Sequence, residues 1–249
     1  METRKTAMKN CKPIIETPGV PADFMHFTRR SLLDWMGKAT VLALGGELIA
    51  ACGRKRPVFV FEPGSGDQPI YEKWDEETVD PQDLQKILCC WQLKVNGLVE
   101  SPAVFSFAEL VKLRRLDALA DFHCVEGWSV LNVPWNGVHL STLFARVKPL
   151  AEATHVTFHT LANTYNESLP ISEALEPKTL LAYGVDGATL PLSHGFPLRL
   201  VVPRKFGYKS AKYVYRLELT DQPIDGYWEH FGYPYEADVP ASRLRPGRY

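Results

Sequence analysis

The sequence predicts a single mixed α+β domain, in which short helices are scattered among many strands. Segments rich in β-branched and aromatic residues recur through residues 83–249, and apolar residues with helical spacing occur only in short stretches. Strands and helices do not alternate regularly, which argues against a doubly wound parallel sheet, and no long repeat is present. With 249 residues, 45% of them hydrophobic, the chain is long enough to bury a substantial core.

Turn signals divide this domain into strands. Asn96-Gly97 lies between strand-like residues 92–95 and 98–99, and it predicts a hairpin with a type I′ turn. Asp186-Gly187 predicts a second hairpin turn after a strand at 180–185. Further strands are predicted at residues 116–125, 155–161, 198–202 and 213–219.

Two short helices are predicted between these strands. Ser106 and Glu109 have the spacing of a capping box, in which each side chain bonds the backbone N–H of the other, and they predict a helix through Leu113. Apolar residues spaced three and four apart predict a second, amphipathic helix. These residues are Leu140, Leu143, Phe144 and Val147.

Charge and cysteine usage exclude several classes of protein. The net charge of −1 gives no general attraction for nucleic acid or for an anionic membrane surface, so a basic site has to be local. The five cysteines, at positions 11, 52, 89, 90 and 124, show neither a CxxC zinc pattern nor the spacing of a disulfide framework. Buried strand positions are the default interpretation of Cys89 and Cys90, whereas Cys124 needs its own explanation.

The N-terminal residues have the features of an export signal. The pair Arg29-Arg30 precedes a weakly apolar stretch at 39–51, a pattern typical of twin-arginine signals. That stretch is interrupted by Glu47 and is too short for a transmembrane helix. It ends at Cys52 in a lipobox-like sequence, which predicts a signal at 1–52 and a lipidated mature chain. The alternative is an ordinary charged pair before an N-terminal helix.

The rest of the chain divides at a change in composition. Residues 53–82 are rich in Pro, Gly and charge, and they predict a linker or an arm that wraps over the domain. The domain itself is predicted to span residues 83–249.

Two separated motifs carry the chemistry. Cys124 lies in the run Asp121–Ser129, and about 70 residues later a Gly-, Pro- and base-rich run extends from His194 to Lys212. A thiolate is a soft metal ligand, and a cluster of basic residues suits an anionic cofactor. The alternative for a lone cysteine is a small buried hydrophobic residue.

These two stretches, in this order and at this spacing, resemble the molybdopterin-binding domain of the sulfite oxidase family, which includes bacterial methionine-sulfoxide reductase catalytic subunits. The resemblance covers roughly residues 88–240 and implies a sulfite-oxidase-type α+β fold. It also implies that Cys124 ligates molybdenum, because the dithiolene of molybdopterin supplies the remaining sulfur ligands. By the same resemblance, six residues contact the pterin or its phosphate: Thr160, His194, Arg199, Ser210, Ala211 and Lys212. The alternatives are an exposed edge-strand charge for Arg199 and a solvated strand face for Lys209 and Lys212.

Other candidate sites are weaker. His155 and His159 would suit zinc only on a helix, and the residues between them predict a strand. A Cys124–His123 hydrolase pair is disfavoured because adjacent strand residues point to opposite faces. Trp228 and Tyr233 are candidates for a substrate entrance or for simple packing. No GxGxxG, GKS or GKT motif supports nucleotide binding.

The functional hypothesis is an exported, lipid-anchored Mo-molybdopterin oxidoreductase that faces the periplasm and transfers an oxygen atom to or from a small substrate such as a sulfoxide. Sulfite is disfavoured, since Glu126-Gly127-Trp128 stands where the resemblance to animal and plant sulfite oxidases would require arginines, and no C-terminal dimerisation domain is expected within these residues. Without a haem, flavin or CxxC motif, electrons are expected from a separate membrane haem protein or soluble cytochrome. The alternatives are a non-catalytic lipoprotein scaffold or ligand-binding protein, and a thiol hydrolase.

Overall fold

The computed structural model describes residues 58–60, 91–161 and 165–249. Two sheets and a few short helices make up this part of the chain, and the predicted α+β class is confirmed. The predicted signal at 1–52 and the pair Cys89-Cys90 lie outside the described residues. No helix among the described residues is long and apolar enough to cross a membrane.

The elements are numbered in chain order. The strands are β1 Val58–Val60, β2 Gln92–Gly97, β3 Ala103–Ser106, β4 Arg115–His123, β5 Ser129–His139, β6 His155–Thr160, β7 Asn166–Pro170, β8 Leu180–Val185, β9 Ala188–Thr189, β10 Arg199–Val201 and β11 Val214–Thr220. The helices are α1 Phe107–Leu110, α2 Leu140–Val147 and α3 Ile171–Ala174. Short 3₁₀ turns occupy Leu192–His194, Gly207–Lys209 and Glu229–Phe231.

The first sheet has the strand order β1-β5-β8-β10, with β4 also paired to β5 and β9 to β8. All of these pairs are antiparallel. Strand β1 lies in the segment predicted to be a linker or a wrapping arm, and it pairs with the start of β5. The second sheet has the order β3-β2-β11-β6-β7, in which β2 and β11 are parallel.

The main core lies between the two sheets, and the first sheet is also covered on its other face. In β8, Leu181 belongs to the main core, while its neighbours Leu180 and Ala182 belong to a second apolar cluster. Successive strand residues point to opposite faces, so this alternation places the second cluster on the far side of the sheet. That cluster also contains Trp135, with Cys124 packed against it at the edge.

Several predicted elements are confirmed. Ser106 and Glu109 form the capping box, although helix α1 ends at Leu110 and not at Leu113. The β8–β9 turn has positive φ at Asp186 (52°) and Gly187 (78°), as a type I′ turn requires. All four apolar residues predicted for the amphipathic helix are buried on α2.

The predicted hairpin at Asn96-Gly97 is wrong. Strand β2 runs through Gly97, and the returning strand β3 begins only at Ala103, which pairs with Val95. A β-carbon on Gly97 would lie 2.2 Å from the carbonyl oxygen of Leu219, so the glycine permits the close approach of β11. The long strand β5 and the strand β7 were not predicted.

Candidate cofactor site

Cys124 stands at the start of a tight turn between β4 and β5. Its N–H donates to the carbonyl of Trp128 (2.9 Å), and the Gly127 N–H donates to the carbonyl of Cys124 (3.2 Å). Gly127 has a φ of 103°, a conformation that favours glycine. The turn leaves the Cys124 side chain half-buried, as a free thiol, at the edge of the second apolar cluster.

The surroundings of the thiol set its protonation. Burial raises the pKa of Cys124, and the neighbouring Glu126 carboxylate adds to the rise. Backbone N–H groups of Glu126 and Val125 and the positive charge of Arg243 oppose it. Because a metal binds the thiolate, loading of a metal here would release the thiol proton.

The other histidine candidates belong to the sheets. The His123 side chain is buried, with Nδ1 2.8 Å from the hydroxyl of Ser129. His155 and His159 lie on strand β6 as predicted, and His159 Nε2 is 2.9 Å from a carboxylate oxygen of Glu218.

Arg199 is the centre of the cationic part of the site. Its side chain is buried (1% exposed), so the alternative of an exposed edge-strand charge is wrong. The guanidinium donates to the carbonyls of His194 (3.1 Å) and Ser210 (3.3 Å), which joins two loops that are separate in sequence. Burial lowers the pKa of Arg199 to about 10, so the group stays charged at neutral pH.

His194, Gly195 and Lys212 lie directly beside Arg199. A β-carbon on Gly195 would lie 3.1 Å from the β-carbons of both Arg199 and Lys212, so a glycine is what lets both residues pack closely against this loop. Gly195 also has a φ of 105°. Burial, with added repulsion from Arg199 and Lys212, lowers the pKa of His194 to about 4. His194 is therefore neutral at physiological pH, and its ring offers one donor and one acceptor.

Ser210 and Ala211 are buried and connect this group to β10. The Ser210 hydroxyl accepts from the N–H of Val202 (3.2 Å), and the Ala211 carbonyl accepts from the N–H of Leu200 (2.8 Å). Thr160 ends strand β6, and its hydroxyl donates to the carbonyl of Tyr165 (2.7 Å). These hydrogen bonds hold Ser210, Ala211 and Thr160 against the neighbouring strand and loop backbone.

Phe122 connects the cysteine turn with the cationic group. It lies two residues before Cys124, and the Arg199 guanidinium is 5.4 Å from its ring centroid. Arg199 also lies over the ring of Trp135, at 5.1 Å. A β-carbon on Gly207 would lie 2.3 Å from the Phe122 ring, so the loop before Ser210 packs on the same side chain. The Phe122 ring, at the end of strand β4, thus lies against Arg199, one of the predicted anion-binding residues.

Lys209 belongs to a buried charge cluster that the sequence analysis did not find. Its ammonium lies 2.7 Å from Glu167 and 2.7 Å from Glu229, and all three side chains are at most 4% exposed. The alternative of a solvated strand face is therefore wrong for Lys209. Burial raises the pKa of Glu167 to about 7, although Lys209 opposes the rise. No local pattern predicts this cluster, because its members are far apart in the sequence.

Trp228 and Tyr233, the predicted entrance residues, belong to a surface aromatic group. Their ring centroids are 5.2 Å apart. Tyr227 and Phe231 join them, and Phe231 is 66% exposed. These contacts form a packed aromatic group at the protein surface.

The chain is similar to known proteins both in sequence and in fold. Residues 81–228 match the model of a family described as the oxidoreductase molybdopterin-binding domain. The chain is 34% identical over 174 residues to the uncharacterized oxidoreductase YuiH of Bacillus subtilis, covering 70% of this chain and 80% of YuiH. It is 37% identical over 156 residues to the protein-methionine-sulfoxide reductase catalytic subunit MsrP of Burkholderia mallei, covering 57% of this chain and 47% of MsrP. The chain thus spans about half the length of that reductase.

Among solved structures, the sulfane dehydrogenase SoxCD of Paracoccus pantotrophus has a similar fold. The TM-score is 0.51, with 23% sequence identity, and the match covers 72% of this chain and 56% of that chain.

Substitution of Arg199 tests the cationic group. We expect Arg199→Lys to lower the content of bound molybdopterin roughly tenfold or more, because a lysine ammonium cannot reproduce the planar fork that joins the two carbonyls. Pterin released from purified protein and oxidised to its fluorescent form measures this content. The matched control is Arg216→Lys on β11, where the arginine bonds Asn96 and Glu218. Equal pterin content in both variants would contradict the assignment.

Substitution of Glu167 tests the buried cluster by pH. The raised pKa means that the folded protein keeps a proton that the unfolded chain loses between pH 4.5 and about 7, so the stabilisation present at low pH is lost as the pH rises. Glu167→Gln cannot lose that proton, and Lys209 keeps Glu229 as a partner. We expect the free energy of unfolding of the variant, relative to wild type, to rise by up to about 3 kcal/mol from about pH 5 to 8.

Urea unfolding at several pH values measures that difference. Glu152→Gln, which removes an exposed carboxyl group, is the control for the loss of one negative charge. A difference for Glu167→Gln that does not change with pH would show that its carboxyl does not take up the proton.

Proposed function

The chain belongs to the sulfite oxidase family of oxidoreductases with a molybdopterin-binding domain, and from this premise we propose that Cys124 is its molybdenum ligand. The predicted family, its fold, the molybdopterin cofactor and the class of enzyme are confirmed by these similarities. The roles of individual residues and the identity of the substrate are proposals that these similarities support.

The residues present suit such a cofactor. Molybdopterin carries a phosphate and a polar pterin ring, and Arg199 and Lys212, which both pack against Gly195, supply positive charge for them. His194 is neutral and can both donate to and accept from a heterocycle. Arg199 joins the loops of His194 and Ser210, so it holds the proposed binding groups in one arrangement. When bound, the cofactor supplies two-electron chemistry at the metal.

The observation that carries the proposal is the placement of Cys124. Its thiol is half-buried, it lies on a turn whose backbone N–H groups can stabilise a thiolate, and it follows by two residues Phe122, whose ring contacts Arg199 and packs against the same apolar cluster as Cys124. A cysteine that served only as a core residue would not need this environment.

The proposed reaction is the removal of oxygen from a sulfoxide. It consumes two electrons and two protons and releases the sulfide and one water molecule. Similarity to a methionine-sulfoxide reductase supports this substrate class. The Cys124 turn supports it too, since Glu126, which accepts from the Trp128 indole N–H at 3.1 Å, puts a carboxylate two residues after Cys124, and a negative charge there disfavours a dianion such as sulfite. The electrons would come singly from a separate haem protein or cytochrome.

Substitution of Cys124 tests the assignment directly. We expect Cys124→Ser, produced in a host that makes molybdopterin, to lose sulfoxide reduction with an artificial electron donor, while the free energy of unfolding changes by less than about 1 kcal/mol. Wild type should contain stoichiometric molybdenum and show a Mo(V) electron paramagnetic resonance signal with thiolate character. Cys89→Ser, at another cysteine within the matched residues 81–228, is the control and should keep both molybdenum and activity. Wild-type protein that folds in that host without molybdenum would refute the proposal.

We further propose that residues 1–52 direct twin-arginine export and that Cys52 anchors the mature chain to a membrane facing the periplasm. This route suits an enzyme that receives its cofactor before export. Replacing both Arg29 and Arg30 by lysine is expected to leave the loaded enzyme in the cytoplasmic fraction, whereas Arg54→Lys should not. Mass spectrometry of the exported chain should find a lipid-modified Cys52 at its N-terminus. Equal export of the double variant would rule out this signal.

A further inference from the structure

A residue near the C-terminus holds the turn that carries Cys124. The guanidinium of Arg243 donates to the carbonyls of Cys124 (3.3 Å), Gly127 (3.1 Å) and Trp128 (2.9 Å) and to the hydroxyl of Ser129 (2.9 Å). These four acceptors extend from the first residue of the turn to the first residue of β5. Arg243 lies beyond residue 228, where the family match ends.

The end of the turn is fixed by Trp128, which is buried in the second apolar cluster, whereas the middle of the turn is more open. Two backbone hydrogen bonds close it, and one of them involves Gly127, whose flexibility is high in an unconstrained loop. Val125 and Glu126 are exposed. A planar guanidinium that bonds several acceptors at once restrains their relative positions more strongly than a single flexible donor does.

The segment that carries Arg243 is held in place both before and after this residue. On one side, the N–H of Val239 donates to the carbonyl of Arg204 at 2.9 Å. On the other, Arg245 makes a bidentate pair with the buried carboxylate of Asp121, at 2.5 and 2.6 Å. Burial alone would raise the pKa of Asp121, but its bonds with Arg245 and the Asn132 N–H lower it below the ordinary value. Asp121 is therefore ionised, and it anchors the segment next to the cysteine strand.

We propose that Arg243 is a positioning residue that sets where the Cys124 sulfur lies for metal ligation. Residues that orient a metal ligand through hydrogen bonds commonly tune the metal as strongly as they affect its binding. The inference rests on the proposed ligation by Cys124, and Arg243 acts through the turn without a direct role in the reaction.

The test compares Arg243→Gln, Arg243→Lys and Arg248→Gln in the full-length, molybdenum-loaded enzyme. Arg248 lies in the same segment but bonds Asn132, so it is the matched control. For Arg243→Gln we expect a shifted Mo(V) resonance signal and a kcat lowered roughly tenfold at nearly unchanged KM, since the ligand and not substrate binding is disturbed. Arg243→Lys should fall between this variant and wild type, because it keeps the charge and loses the fork.

Amide hydrogen exchange gives a readout that needs no cofactor. We expect the N–H groups of Cys124 and Gly127 to exchange roughly tenfold faster in Arg243→Gln than in Arg248→Gln. Unchanged exchange together with an unchanged resonance signal would overturn the inference. If Arg243→Gln does not fold, the same measurements on Arg243→Lys decide, and wild-type values there would equally overturn it.

Failure of the proposed function has a different outcome. In that case wild type itself shows no thiolate-ligated molybdenum, and Cys124→Ser does not differ from it. The exchange measurement then still reports whether Arg243 restrains the turn.

Discussion

A buried positive charge, Arg199, is the constraint on which the arrangement of the site depends. Its guanidinium lies over two aromatic rings and bonds the carbonyls of His194 and Ser210. Burying a charge is costly unless hydrogen bonds compensate it, and the two loops provide those bonds. The loops are therefore held in one relative position by a group that would be destabilising without them. An anionic cofactor would add the remaining compensation.

The turn that carries Cys124 depends on a different charged pair, Asp121 and Arg245. The middle of the cysteine turn is exposed and contains a glycine, Trp128 at its end is buried in the second apolar cluster, and Arg243 of the C-terminal segment bonds three of its carbonyls. Asp121 and Arg245 fix that segment at the buried end of strand β4. The cationic group is thus held by Arg199 and the cysteine turn is restrained by the C-terminal segment. Both contact the ring of Phe122, through Arg199 and through Trp128.

Local sequence patterns predicted part of the fold and part of the candidate site. The capping box at Ser106, the amphipathic helix α2 and the turn at Asp186-Gly187 follow from patterns within a few residues, and the strand predicted at 116–125 is present as β4, which ends at His123, one residue before Cys124. The grouping of His194, Arg199 and Lys212 was expected from the resemblance. Long-range contacts were beyond such patterns. Gly97 serves the approach of a strand about 120 residues away, and Lys209 is buried by two glutamates from distant segments.

Strand β5 escaped prediction because Asn, Pro and Gly interrupt its middle, where tertiary pairing on both edges outweighs weak strand propensity. Arg243 was not predicted because its partners lie more than 110 residues away in the sequence and a single arginine forms no local pattern.

The parallel pairing of β2 with β11 has a consequence for how the protein is made. The indole N–H of Trp91, just before β2, donates to the carbonyl of Val214 across 123 positions of the chain. The central strand of the second sheet therefore cannot be inserted until nearly all of the polypeptide has left the ribosome. Until then the nascent domain exposes the unpaired edges of strands β2 and β6, and unpaired edges favour aggregation.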